Sequence, residues 1–438
     1  MKFLNKLFEG FTRFASTKPI TALKDGFVLT MPATLIGSIF LLIANLPFSG
    51  YTDFMARVLG PDWNVGLNQV SACTFDILAM IIAVGIGYAY AKNEKCDGIS
   101  CGILSLISFL IVSASTTTLD SGETVTGVIP RGWTGGNGVI AAIIVGLLVG
   151  IIFTFFMKRN IRIKMPAGVP EGVTNAFSAL IPGFVIILLS MIVYQLCMVF
   201  GGVSLTELIF KIVQIPMQNL SSTWAGGLAI TFLISLLFWA GLHGPNIVMG
   251  VMAPILTANA LANQALIDAG VAPTVENGAK LLTPQIIDCF VKFGGTGITL
   301  GLLIAALISA RSKQMRQISR LSIIPGLFNI NEPVIFGLPI VYNAILLIPF
   351  ILVPIVSFII TYGAASIGFL TPFGGVQVPW TTPVLFSGLI LGGWRGAVIQ
   401  LIILVLAVLI YYPFMQRQDI LFRRQEAEAA QAEKAEEA

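Results

Sequence analysis

The chain has 438 residues, of which 56% are hydrophobic and only 11% charged, and its mean hydropathy is +0.90. Soluble domains carry about 25% charged residues, so this composition excludes a water-soluble globular fold and puts most of the surface in lipid. The net charge is only +4, and the absence of a dense basic tract interleaved with aromatics excludes nucleic acid as a partner.

Residues 1–25 are basic and amphipathic. Phe3, Leu4, Leu7, Phe8, Phe11 and Phe14 fall at helical spacing opposite Lys2, Lys6, Glu9 and Arg13, a pattern that predicts a helix lying in the membrane interface. No cleavage site of a signal peptide is visible behind it. Spanning helices are then predicted at about 26–46, 70–91, 99–116, 137–157, 177–200, 226–241, 246–267, 294–310, 344–364 and 386–411. The stretch 246–267 is polar for a crossing and is expected to face protein or a cavity.

Lysine and arginine placement orients these segments. Lys18 and Lys24, then Lys92 and Lys95, then Lys158, Arg159, Arg162 and Lys164 mark alternate loops as cytoplasmic. Arg311, Lys313, Arg316 and Arg320, and finally Arg417, Arg423 and Arg424, continue the pattern. The fold class that follows is an all-α membrane protein with ten transmembrane helices and both termini cytoplasmic. Residues 26–200 read as one half of five regular helices and 201–414 as a second half, broken at His243–Asn246, Phe293–Gly297, Asn331–Pro333 and Thr371–Gly375. Irregular backbone at membrane depth is tolerated only where protein or water satisfies it, and broken segments point to a transporter's binding site. Residues 415–438 are Ala/Glu-rich and read as a charged cytoplasmic tail, either a solvated helix or a disordered extension.

Few residues in this apolar chain can carry chemistry. Glu332 is the only formally charged side chain between Arg320 and Arg395. A carboxylate there is costly unless paired, solvated or protonated, and Pro333 suits the first turn of a helix whose N-terminus favours an anion. It reads either as a cap or as a ligand-facing acid. His243 is the only histidine; it is either a hydrogen-bonded core residue or a donor beside the helix start set by Gly244 and Pro245. Trp380 can stack on the apolar face of a sugar or belong to an aromatic belt. Gly294, Gly295 and Gly297 permit close backbone approach, to a ligand or to another helix. Lys292 reads as an interfacial lysine or a cavity charge, and Asp76 as a carboxylate with a local partner. The five cysteines form no CxxC pair and read as small buried hydrophobes. No metal and no cofactor are expected.

The stretches Phe238-Trp-Ala-Gly-Leu-His-Gly-Pro-Asn246 and Phe328-Asn-Ile-Asn-Glu-Pro-Val-Ile-Phe-Gly337 resemble the signatures of the enzyme IIC component of the lactose/cellobiose/diacetylchitobiose phosphotransferase family. The resemblance extends over about residues 1–420 and includes the glycine segment 293–300 and Pro379-Trp-Thr-Thr-Pro383. It implies a homodimer of ten-helix subunits in the bacterial inner membrane, with the first half as dimerisation scaffold and the second as the sugar-binding half, containing re-entrant hairpins. It implies that His243 and Glu332 contact sugar hydroxyls, with Asn331, Asn246 and Trp380 as further contacts and Glu332 near the hydroxyl that receives phosphate; Gly295 is a further candidate for substrate binding by its close backbone approach, and Glu332 is the candidate catalytic base. The expected activity is uptake of a β-linked disaccharide of the cellobiose, diacetylchitobiose or lactose type, coupled to phosphorylation by a separate phosphorylated IIB protein, itself fed by IIA. The chain alone then lacks a complete active site for phosphate transfer. Two other readings of the residues stand beside this one: an ion-coupled secondary transporter using Glu332 as a proton site, and a non-transporting membrane enzyme or receptor.

Overall fold

Lipid offers the backbone no hydrogen-bond partners, so long apolar stretches close their own bonds as helices. The computed structural model describes residues 13, 16–44, 50–119, 122–166, 168–338 and 340–436, and for Met31, Leu35, Ser38, Leu220, Ser221, Glu332, Phe336, Ala430 and 432–436 it describes the backbone alone. Of the expected interfacial helix of residues 1–25, nearly all of 1–15 lies outside the described residues, while residues 18–25 are helical.

The principal helices are α1 (Lys18–Val28), α2 (Met31–Ala44), α3 (Tyr51–Leu59), α4 (Val65–Phe75), α5 (Leu78–Asn93), α6 (Gly98–Val112), α7 (Val139–Lys158) and α8 (Leu180–Gly201). They continue as α9 (Trp224–Trp239), α10 (Gly244–Asp268), α11 (Thr299–Ser309), α12 (Lys313–Leu327), α13 (Glu332–Gly337), α14 (Ala344–Ser366) and α15 (Phe386–Glu436). Among the described residues, seven helical stretches are long and apolar enough to cross a membrane, or up to eight if one bent pair counts as a single span. The structure also adds one element to an all-α expectation, a small antiparallel hairpin of β1 (Thr116–Thr118) and β2 (Thr124–Thr126), in register Thr117 with Val125. Its β-branched residues suit extended backbone.

The chain divides into two compact units. The first comprises Met1–Ser221, Met249–Gly270 and Gly374–Gln377, the second Ser222–Val248, Val271–Phe373 and Val378–Ala438. In the first unit α5, α6 and α7 pack around Leu78, Ile82, Ile86, Phe109, Val139 and Phe153, all fully buried or nearly so. Small residues permit the contact between α1 and α5: a Cβ on Gly85 would lie 2.7 Å from the carbonyl oxygen of Gly26. In the second unit α11 packs on α15, Gly301 lying against Ala407, and the buried Phe350 and Phe358 of α14 fill the centre.

Several expected crossings are interrupted, that at 26–46 already at Leu29–Thr30, between α1 and α2. The one at 70–91 breaks at Ile77, where φ is −111° and ψ 11°. That at 294–310 is helical only from Thr299, because Gly294, Gly295, Gly297 and Ile298 all have positive φ. The one at 386–411 breaks at Gly393 (φ 59°, ψ −153°). There the chain turns back: the side-chain oxygen of Gln400 accepts from the backbone amides of Leu385 (2.7 Å) and Gly388 (3.0 Å). In a straight helix residues twelve apart would be about 18 Å apart.

The tail does not float free of the fold. α15 continues to Glu436, and two of its carboxylates serve the opening turn of α12. Asp419 accepts from the amides of Arg311 (2.9 Å) and Ser312 (2.8 Å), and Glu426 from the Ser312 hydroxyl and the Gln314 amide, both at 2.9 Å. Anions at unsatisfied helix N-terminal amides are stabilising.

Candidate functional site

All the residues singled out as site candidates belong to the second unit. His243 stands in the turn between α9 and α10. Gly241 takes the left-handed conformation (φ 81°) that ends α9, and a Cβ on Gly244 would meet the Ile234 carbonyl oxygen at 2.0 Å, so only glycine fits. His243 is exposed; its Nδ1 accepts from the Asn246 amide (3.3 Å), as an N-cap side chain does. Its ring packs edge-on against Phe238 at 5.2 Å, and Phe238 lies 6.2 Å from Phe350. Phe350 in turn fills the space a side chain on Gly297 would need, its ring atoms 2.4 Å from that Cβ position. A row of rings thus leads from the imidazole to the glycine segment. The side chain of Asn246 is exposed one turn into α10.

The glycine segment is held by two asparagines. Asn329, itself left-handed (φ 66°), accepts from the Gly294 amide at 2.5 Å and donates to the carbonyls of Trp380 (2.5 Å) and Thr382 (2.9 Å). Asn331 is buried and donates to the Thr296 carbonyl (2.9 Å) and the Thr299 hydroxyl (3.2 Å). A Cβ on Gly295 would lie 2.4 Å from the Asn331 side chain. These contacts bring residues 293–299, 328–333 and 379–382 to one place. Trp380 is anchored there by its backbone, while its side chain is 51% exposed. Asn331 spends its amide nitrogen inside the fold, whereas the indole of Trp380 is open. Glu332 opens α13 next to that knot, with Asn331 at the N-cap and Pro333 in the first turn; its side chain lies outside the described residues.

Other residues find protein partners. Lys292 pairs with Asp288 at 2.6 Å, four residues earlier on the π-helical turn Ile286–Val291. Asp76, in the first unit, has the local partner expected of it in Arg131 (3.6 Å). Cys101 and Cys289 are buried, but Cys73 is exposed, which the expectation of buried thiols missed. Asn329 and Gln400 also went unnoticed in the sequence. Gln400 is fully buried and uses its whole amide: besides the two bonds it accepts, it donates to the Cys289 carbonyl (2.6 Å) and the Ser387 hydroxyl (2.8 Å). A lone amide inside the apolar run 386–411 was the available signal. Asn329 lay in plain view within the 328–337 stretch.

A polytopic membrane carrier is the class defined by apolar helices interrupted at one tightly hydrogen-bonded knot. The model of the family Phosphotransferase system, EIIC matches residues 24–354. The chain is 39% identical over 415 residues to the lichenan permease IIC component of Bacillus subtilis (strain 168), covering 93% of this chain and 90% of that one. It is 35% identical to the PTS system cellobiose-specific EIIC component of Geobacillus stearothermophilus, covering 93% and 91%. The crystal structure of the transporter ChbC, the IIC component from the N,N'-diacetylchitobiose-specific phosphotransferase system, matches with a TM-score of 0.92 at 38% identity, over 97% of this chain and 99% of that one. The chain belongs to the EIIC family of the phosphotransferase system. It is a sugar permease subunit and a multi-pass protein of the bacterial inner membrane.

Proposed function

We propose that this permease imports a β-linked disaccharide and presents it to a separate phosphorylated IIB protein, recharged by IIA. Relatives named for cellobiose, lactose and oligo-β-mannoside support the substrate class. The lactose-specific EIICB component of Staphylococcus aureus, of which this chain spans 69%, supports a IIB partner. The chain crosses the membrane ten times with both termini cytoplasmic. The 294–298 segment and the arm before Gly393 are re-entrant. Two subunits form a homodimer through the first half (26–200), where α8 leaves Phe184, Val199 and Phe200 exposed, and membrane lipid covers the rest. The second half (201–414) carries the sugar.

In the transfer step a sugar hydroxyl, O6, attacks the phosphorus of the IIB phosphocysteine. The O–P bond forms, the S–P bond breaks, the thiolate leaves, and the hydroxyl proton passes to Glu332. The chemistry is mainly positioning and charge stabilisation, and the base must come within about 3 Å of the hydroxyl. His243 and Asn246 bind hydroxyls, Trp380 stacks on the ring, and Gly295 with Asn331 shapes the loop beneath Glu332.

The observation that carries this reading is the Asn329 knot, which gathers the glycine segment, the start of α13 and the Trp380 stretch. The test uses right-side-out vesicles with the chain in the membrane, phosphorylated IIB in the lumen and cellobiose outside. Sugar phosphate should form, and Glu332→Gln should bind sugar without forming it. Sugar accumulated unmodified on a proton gradient alone would establish the ion-coupled alternative instead.

A further inference from the structure

A second polar site lies in the first unit, where the end of α5, the start of α6 and the end of α7 meet. Three apolar helices end together there, so it sits at a membrane–water boundary. A cavity of about 610 Å³ opens between them, lined by Lys92, Lys95, Lys158 and Arg162 with Tyr88 and Glu171. Most of its charges are already engaged. Glu94 accepts from both Lys18 (2.8 Å) and Lys158. Asp97 caps α6 through the Ile99 amide (3.1 Å), and Lys92 lies 5.2 Å above the Tyr88 ring. Glu171 is exposed.

The remaining cations are Lys95 and Arg162. One guanidinium nitrogen of Arg162 donates to Asn160 (3.3 Å), but its Nε is buried and has no hydrogen-bond partner among the described residues. That Nε is closed off from the cavity, but Arg162 is among the lining residues, and its terminal guanidinium N–H groups are the donors it offers to a phosphate oxygen there. A second feature says which kind of phosphate. From Ile99, which lines the same cavity, Ile103 and Ile107 continue along one face of α6 at helical spacing, and all three are exposed (68%, 52% and 36%). The stripe runs about 12 Å down the helix from the basic end.

We infer that this cavity takes the phosphate of an anionic phospholipid, with Arg162 and Lys95 on the headgroup and an acyl chain along Ile99, Ile103 and Ile107. Basic pockets at helix ends hold such headgroups by charge, and the adjoining apolar stripe gives the chain its track. The site shares no residue with the sugar site.

Native mass spectrometry of the detergent-purified full chain tests this, with phosphatidylglycerol as probe and phosphatidylcholine of the same chains as comparator. Retained phosphatidylglycerol should fall about fivefold for each charge removed in Lys95→Gln and Arg162→Gln. Arg162→Lys should keep most of it. Arg159→Gln, whose guanidinium lies 4.9 Å from the Phe155 ring and does not line the cavity, should behave as the parent chain. Lys95 is exposed, so its variant reads the site even if Arg162→Gln fails to fold. Equal retention of phosphatidylcholine, or unchanged retention in Lys95→Gln, overturns the assignment. Displacement by inorganic phosphate alone would make it a free-anion site, and a dimer that excludes lipid from the stripe would make the occupant a second copy; either result also overturns it.

Discussion

Asn329 donates its side-chain amide to the backbone carbonyl of Trp380 at 2.5 Å, across 51 residues of sequence. The same side chain receives the Gly294 amide. One residue therefore fixes where the Trp380 indole starts and how the glycine loop runs, while the indole stays half exposed. Such support from behind is how a binding surface is held in shape before its ligand arrives.

Substituting Asn329 should expose that role. Asn329→Asp keeps a side chain that tolerates positive φ and keeps the acceptor for Gly294, but loses both donors. Asn329→Gly keeps the backbone conformation and loses all three bonds. At about 1 kcal/mol per bond, the aspartate variant should lose about 2 kcal/mol and the glycine variant about 3 kcal/mol. Thermal unfolding in detergent measures this, and sugar phosphorylation should fall in both. Parent-like stability of Asn329→Gly would remove the knot from the account.

Gly295→Ala meets two obstacles. Its φ is +90°, and the new Cβ would sit 2.4 Å from Asn331. Strained backbone of this kind costs of order 1–3 kcal/mol. The variant should lose uptake even where it reaches the membrane. Adding Asn331→Gly removes the clash, which begins at the Asn331 Cβ itself, but not the strain, so recovery should be partial. Full recovery in uptake assays would assign the whole effect to crowding.

His243 has a capping role and a proposed ligand role, which two variants separate. Asparagine can cap α10 as the imidazole does, whereas alanine cannot and should cost about 1 kcal/mol. His243→Asn should therefore keep stability and lose sugar affinity; His243→Ala should lose both. An unchanged Kd for cellobiose in His243→Asn would leave the histidine a cap only.

Glu94 links stability to acidity. Its side-chain bonds to Lys158 and then Lys18 hold its carboxyl below the ordinary value of 4.5. A carboxyl lowered in the folded state contributes stability that is complete above its unfolded value and fades as pH falls through the folded one. The loss should thus begin below about pH 4.5. Tm measured in detergent from about pH 6 downward should drop in the parent chain, and Glu94→Gln should lack that part of the slope. Parallel curves for the two proteins would mean the pair of lysines contributes nothing.

The amino-acid sequence by itself determined the helices, because a backbone in lipid must bond within its own segment and apolar length is visible along the chain. Each expected crossing carries helix, from Met31–Ala44 to the part of Phe386–Glu436 that follows the break at Gly393. The places where regularity fails were legible too, at His243–Asn246, the 293–297 glycines and Asn331–Pro333, since glycine and proline act on their own backbone. Tertiary structure alone decided how those interruptions are used. It turned the chain back at Gly393, drew Asn331 into the interior, and left Trp380 open. The bonds that made these choices join residues 35, 51 and 111 positions apart, Gly294 with Asn329, Asn329 with Trp380, Gln400 with Cys289. Periodicity reads neighbours within a few turns. Which distant carbonyl will meet a given amide depends on the packed fold that brings the two together.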